Sequence, residues 1–296
     1  MKETNGVIKE KIILDTDIGC DMDDMLALAY LLLQEKAELL GITTVTGEPV
    51  TRAKLAKIMC SLAERDIPVH VGAGEALCGK FRQNTLVGSE KALVEEISCS
   101  DDFEENTAIE FLREIIEQHP GEITLCAIGP LTNIAILFEK YPHIPSLLGK
   151  LVIMGGRFGD VDTARWGAQE WNIINDPAAA KAVFDAPVKD VRVFGVEQTC
   201  RVFVTDTKEL ADRCESVPCL LPFSHVVRTW HGIWYHDAVA VSALFYDDGM
   251  TFKRGHISVS ANGDTSFTSD KNGNHLLLTD MDIDKFFEHF NKTVCI

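Results

Sequence analysis

A short apolar run, Ile12-Ile13-Leu14, leads into five carboxylates within ten residues: Asp15, Asp17, Asp21, Asp23 and Asp24. Apolar character returns from Met25 to Leu33. The pattern predicts a buried strand, a tight turn at Gly19 and a helix that starts near Asp23. In open α/β sheets, ligands bind just beyond the carboxyl ends of strands, which is where this cluster falls. Bare carboxylates crowded there repel one another and titrate late. A bound cation removes that cost, and an all-oxygen set suits a hard ion such as Ca²⁺ or Mg²⁺. Acidic residues also favour a helix start, and Asp is a good N-cap. That accounts for Asp21 and Asp23 without an ion, and extends at most to Asp24. It does not account for Asp15 and Asp17, which alternate at the end of an apolar strand.

Further strands are expected at 38–47, 67–72, 123–128, 151–154 and 191–196. Helical spacing of apolar residues fills 52–62, 106–119 and 131–141, and Asp176-Pro177 has the chemistry of a helix start. Six strand–helix alternations predict an α/β fold, a mostly parallel central sheet flanked by helices on both faces, Rossmann-like in plan. Residues 205–246 read as mainly helical, 251–278 as β-like and turn-rich, and 283–290 as a closing helix. With no internal repeat and no linker, 1–296 is expected to form one domain. Two irregular stretches, 73–102 and 157–175, have the length of binding loops or lids.

Apolar residues make up 46% of the 296, enough for a full core. The formal net charge of −17 argues against nucleic acid and anionic membranes, both of which demand a basic surface. It is compatible with a small neutral ligand and a divalent cation. Nine cysteines occur without a Cys-x-x-Cys pair, which suits a reducing compartment and gives no zinc or redox motif. Residues 1–11 lack an apolar signal core, and no apolar run is long enough to span a bilayer. The expectation is a soluble cytoplasmic protein.

Most of the unusual residues follow strands. Glu48 lies after the second, Ile128-Gly129 after the fourth, and Met154-Gly155-Gly156 after the fifth, with Glu170 and Asn172 later in the same loop. Converging on one sheet edge, carboxylates, an amide and free carbonyls would hold a cation and a polyhydroxylated ligand. His236-Asp237 opens an apolar helical stretch. The pair suits either a helix cap or a metal ligand beside an acid, and His231 is equally eligible by chemistry alone.

Together these segments resemble the inosine-uridine preferring nucleoside hydrolases. The matching pieces are Asp15-Thr16-Asp17-Ile18-Gly19 with Asp23-Asp24, Gly41 to Gly47, Ile128-Gly129-Pro130-Leu131-Thr132-Asn133, Met154-Gly155-Gly156, Glu170-Trp171-Asn172 with Asp176-Pro177, and His236-Asp237. They run in family order over nearly the whole chain. The resemblance implies Ca²⁺-dependent cleavage of the N-glycosidic bond of a ribonucleoside to ribose and free base. Carried over by residue, Asp17, Asp24, Asp237 and the Ile128 carbonyl would hold the metal. Asp23, Met154, Glu170 and Asn172 would hold the ribose. Asp17 would be the base and His236 the acid, kept protonated by nearby carboxylates. Glu48 stands where the family has Asn and is expected at the substrate. A homo-oligomer, dimer or tetramer, is the expected assembly. The chain departs from the pattern in its acidic run, longer by two residues so that the role of Asp21 is open. It also has Val87-Gly88 where a His-Gly pair is usual, and Asp160 and Asp162 where an Asn is usual. A haloacid-dehalogenase-like phosphatase and a nucleoside- or ribose-binding protein without turnover are the competing readings.

Overall fold

A computed structural model describes residues 9–86, 88–97 and 102–296. Its centre is a nine-stranded sheet. The strands are β1 (Glu10–Thr16), β2 (Ala37–Thr44), β3 (Val69–Val71), β4 (Ile123–Ala127), β5 (Lys150–Met154) and β6 (Val191–Phe194), with β9 (Met250–Val259), β10 (Thr265–Ser269) and β11 (His275–Met281). Two short strands, β7 (Phe203–Val204) and β8 (Ile233–Trp234), pair separately. The large sheet runs β10-β9-β11-β6-β5-β4-β1-β2-β3. The seven strands from β11 to β3 are parallel, and β9 and β10 close one edge antiparallel. Within this order, 3-2-1-4-5-6 is the doubly wound arrangement, whose strand order reverses between β1 and β4. The acidic run leaves β1 at that switch point.

Strand parity explains how β1 is used. Ile12 and Leu14 enter the core on one face, with the helices Asp23–Leu33, Pro49–Leu62, His236–Ser242 and Ile283–Val294. Ile13 enters the other, with Ala108–Gln118, Thr132–Lys140 and Pro177–Phe184. All three are fully buried, as a parallel strand covered on both faces requires. The helix start expected near Asp23 is at Asp23. Three expectations are corrected. The stretch 73–102 contains a helix, Gly88–Glu96. The stretch 157–175 contains two short helices, Thr163–Trp166 and Trp171–Asn175. The stretch read as mainly helical holds β8, whose partner β7 lies just before it. No helix among the described residues is long and apolar enough to cross a membrane.

Candidate active site

Parity separates the two aspartates that begin the acidic run. Asp15 continues the Ile13 face and meets Asn133, whose amide donates to it at 2.7 Å; Thr43 donates to the same oxygen. Asp15 is fully buried, its other oxygen has no partner, and burial pushes its carboxyl up to about 7. It is therefore a structural link between β1, β2 and the helix after β4, and it does not line the cavity described below. Thr16 continues the opposite face and donates to Asp24, at the start of the first helix. The strand then ends, and Asp17 turns into the open space at the switch point. Gly129 lets β4 approach here, since a Cβ on it would stand 2.8 Å from Asp17 Oδ1. Gly19 has a φ of 112°, a left-handed conformation that glycine adopts without a Cβ penalty.

The space is a cavity of about 600 Å³, within the usual range for small-molecule sites. Asp17, Asp23, Asp24 and Asp237 line its floor and are each at most 5% exposed. The carboxylate oxygens of Asp21, Asp23 and Asp24 lie within 4.8 Å of one another. Asp24 is the member of that trio shared with the expected ligand set. Burial raises Asp17 to about 6, against the pull of Arg52. Burial first, and then the neighbouring carboxylates, push Asp23, Asp24 and Asp237 well above the usual range. Carboxylates in this situation ionise together only when positive charge joins them. The donor set, all oxygen and mutually repelling, fits a hard divalent cation.

The wall is built by Asn172 and Glu170. The Asn172 amide donates to the carbonyls of Ile128 at 2.8 Å and Met154 at 3.1 Å, tying the ends of β4 and β5 together. Glu170 caps its short helix, accepting from the backbone N–H groups of Gly156, Asn172 and Ile173 at 2.9–3.1 Å. Burial still raises it to about 7. Glu48 is placed elsewhere: its carboxylate takes Lys91 at 2.6 Å and the Leu86 N–H at 3.1 Å, and it does not line the cavity.

His236 lines the cavity, and His231 is exposed outside it. His236 is not a cap, because the helix N-cap is Tyr235 and no side chain caps it. Its Nδ1 pairs with Thr199 Oγ1 at 2.7 Å, and Trp166 stands edge-on to its ring at 5.0 Å. Burial lowers its pKa to about 4, outweighing Asp21. The expectation that carboxylates hold it protonated is thus reversed, because desolvation of the imidazolium is the larger effect. Asp162 caps the helix Thr163–Trp166, and neither it nor Asp160 lines the cavity. Val87 lies outside the described residues.

Sequence reasoning missed Arg52. It is fully buried, and it donates to the carbonyls of Asp17, Ile18 and Gly47, clamping the loops after β1 and β2. A signal was available: Arg52, Leu55, Ala56 and Met59 share one buried helical stripe, so a charge sits on an apolar face. Reading 73–102 and 157–175 as binding loops located the mouth but named none of the residues that line it there, Gln83, Thr85, Leu86, Arg165, Trp166 and Trp171. Asn175 holds the loop beneath Gln83 by accepting from Arg82 N at 2.8 Å, and Trp171 donates to Gln83 at 2.8 Å.

Residues 12–288 match the family model of the inosine-uridine preferring nucleoside hydrolases. Uridine nucleosidase 1 of Arabidopsis thaliana is 32% identical over 86% of this chain and 79% of its own length. Non-specific ribonucleoside hydrolase RihC of Escherichia coli is 31% identical over 87% and 86%. Among solved structures, a purine-preferring ribonucleoside hydrolase from Gardnerella vaginalis superposes with a TM-score of 0.80 at 22% identity, covering 96% of this chain and 98% of that one. That likeness shows the fold. With the family model spanning almost all of the sheet and every residue of the cavity floor, the chain belongs to the inosine-uridine preferring nucleoside hydrolases, a family of N-glycosidases.

Proposed function

We propose that this protein is a single-domain, Ca²⁺-dependent hydrolase that cleaves ribonucleosides to ribose and free base. The observation that carries this reading is the floor of the cavity. Four buried aspartates there, Asp17, Asp23, Asp24 and Asp237, press on one another at the β1/β4 switch point. Asp17, Asp24, Asp237 and the Ile128 carbonyl would hold the cation. When bound, a divalent cation supplies a water of lowered pKa at the floor. Asp17 accepts the proton of the attacking water as general base. Asp23, Asn172 and Glu170 engage the ribose hydroxyls, with Met154 beneath the sugar. As the glycosidic bond stretches, the sugar becomes cationic, and the surrounding carboxylates favour that charge. His236, which lines the cavity next to Asp237 and pairs with Thr199, is the candidate relay of a proton to the departing base.

No lysine lines the cavity among the described residues, so the phosphatase reading lacks the residue it requires. The eight described cysteines are free thiols, which supports a reducing cytoplasmic setting. The test is a panel of ribonucleosides assayed for reducing sugar, with and without added Ca²⁺. Reducing sugar released in step with free base supports hydrolysis. Tight ribose binding without release would make the protein a binder and overturn the proposal.

A further inference from the structure

Among the described residues, the mouth of the cavity holds one permanent cation. Arg165 is the only lysine or arginine among the described residues that line it. Its guanidinium carbon lies 4.2 Å from the centroid of the Trp234 ring, 5.7 Å from Trp166 and 5.8 Å from Phe203. Those rings support one another: Trp234 stacks on Phe203 at 4.2 Å and meets Trp166 edge-on at 5.2 Å. Trp166 in turn meets His236. The guanidinium is thus held against aromatic rings, while its N–H groups find no acceptor among the described residues. Asp162, the nearest acid in the chain, is not its partner and accepts from the backbone of Ala164 at 3.0 Å. An arginine that keeps its donors free beside a cavity of opposite charge is set to receive an acceptor from a ligand.

We propose that Arg165 binds the leaving nucleobase, donating hydrogen bonds to its carbonyl oxygen. This rests on the ribonucleoside hydrolase reading above. In the reaction the C1′–N bond breaks with its electron pair left on the base nitrogen. The water oxygen bonds to C1′, one of its protons passes to Asp17, and the base anion takes one proton from solvent, relayed through His236. Before that protonation, the negative charge of an oxo base spreads onto its carbonyl oxygen. A guanidinium beside that oxygen stabilises the charge without giving up a proton. The same contact discriminates between bases. Hypoxanthine, guanine and uracil present a carbonyl acceptor, whereas adenine presents an amino donor that opposes the guanidinium.

Arg165→Met keeps the apolar stem on the rings and removes the donors, and Arg165→Lys restores the charge. Both are compared with the wild-type protein, in Ca²⁺, on inosine, adenosine and p-nitrophenyl riboside, whose leaving group departs with little help. A charge-assisted contact is worth about 10–100-fold. Arg165→Met is therefore expected to lower kcat/KM on inosine by about that factor, at least ten-fold more than on the nitrophenyl riboside. The inosine-to-adenosine ratio should fall, and Arg165→Lys should recover part of it. Equal losses on all three substrates, or an unchanged rate on inosine, overturn the proposal. A thermal melt of each variant identifies a loss that comes from unfolding, in which case the Arg165→Lys ratios decide the matter. If the wild-type protein cleaves no riboside at all, the hydrolase reading falls and this inference falls with it.

Discussion

At the floor of the cavity, Asp17, Asp24 and Asp237 arrive from a strand end and two helix starts and are almost fully buried. At the mouth, Arg165, Trp166 and Trp171 come from the stretch between β5 and β6, and Trp171 is 48% exposed. The floor is held from behind. Arg52 grips the carbonyls of Asp17 and Ile18, Thr16 donates to Asp24, and Asn172 bridges two strand ends. The mouth is held by ring contacts and by single hydrogen bonds such as Trp171 to Gln83. Chemistry common to every ribonucleoside belongs on the rigid part. The choice of base belongs on the part that can vary without disturbing the sheet. Relatives named for uridine, for ribonucleosides without preference and for purines share this fold or family, in keeping with that division.

The hardest test of the contrast is Asp17→Asn at the floor. Loss of a general base costs about 10²–10⁴-fold in kcat. The deficit should be nearly the same for every base, and metal content measured in the variant separates loss of the base from loss of the ion. A kcat within a few-fold of wild type would remove Asp17 from the chemistry. Arg52→Met probes the support behind the floor. Leaving three buried carbonyls without a donor should cost about 3 kcal/mol or more. A fall in Tm of roughly 5–10 °C is expected, with activity lost on all substrates alike. A variant as stable as wild type would mean that the loops hold themselves.

His236 stands between the two regions. His236→Ala should slow inosine and uridine by about 10²-fold or more and a nitrophenyl riboside far less. Equal slowing would make it a packing residue through Thr199 and Trp166. Removing metal with a chelator should abolish turnover reversibly. It should also lower the melting free energy relative to Ca²⁺ at a hundred times its Kd, by about 2.7 kcal/mol. No thermal shift on adding Ca²⁺ back would argue that the floor does not bind it. The smallest effect is expected at the mouth. Trp171→Ala should raise KM several-fold, about 1 kcal/mol for an exposed aromatic contact, and leave kcat and stability near wild type. A large kcat effect there would erase the distinction between floor and mouth.

Much of the floor is legible in the chain itself. The apolar run before Asp15 and its resumption at Met25 locate the strand, the turn and the helix start. Alternation of strands and helices supplies the mostly parallel sheet. The identities at 17, 23, 24, 170, 172 and 237 stand within recognisable motifs. Glu48 shows the limit. It follows a strand as the others do, yet the chain there takes a left-handed turn, with φ of 58°, and Lys91 captures the carboxylate. Arg165 shows the converse, because nothing in a loop of mixed composition marks one arginine as facing a cavity.

What the sequence by itself determined is local or ordinal: the continuous apolar run of the buried strand β1, helical stripes, and the order of motifs that brings strand ends to one edge. These depend on neighbours a few residues apart, so they survive in a linear reading. The tertiary structure alone decided which polar atom meets which. Asp15 and Asp17 are two residues apart and of one type, yet one is spent on Asn133, 118 residues away, and the other faces the cavity. Burial lowers the pKa of His236 where charge counting raised it, because desolvation among distant residues such as Trp166 and Thr199 outweighs the carboxylates. Desolvation and long-range pairing are properties of the packed volume, and the linear order of residues carries no measure of either.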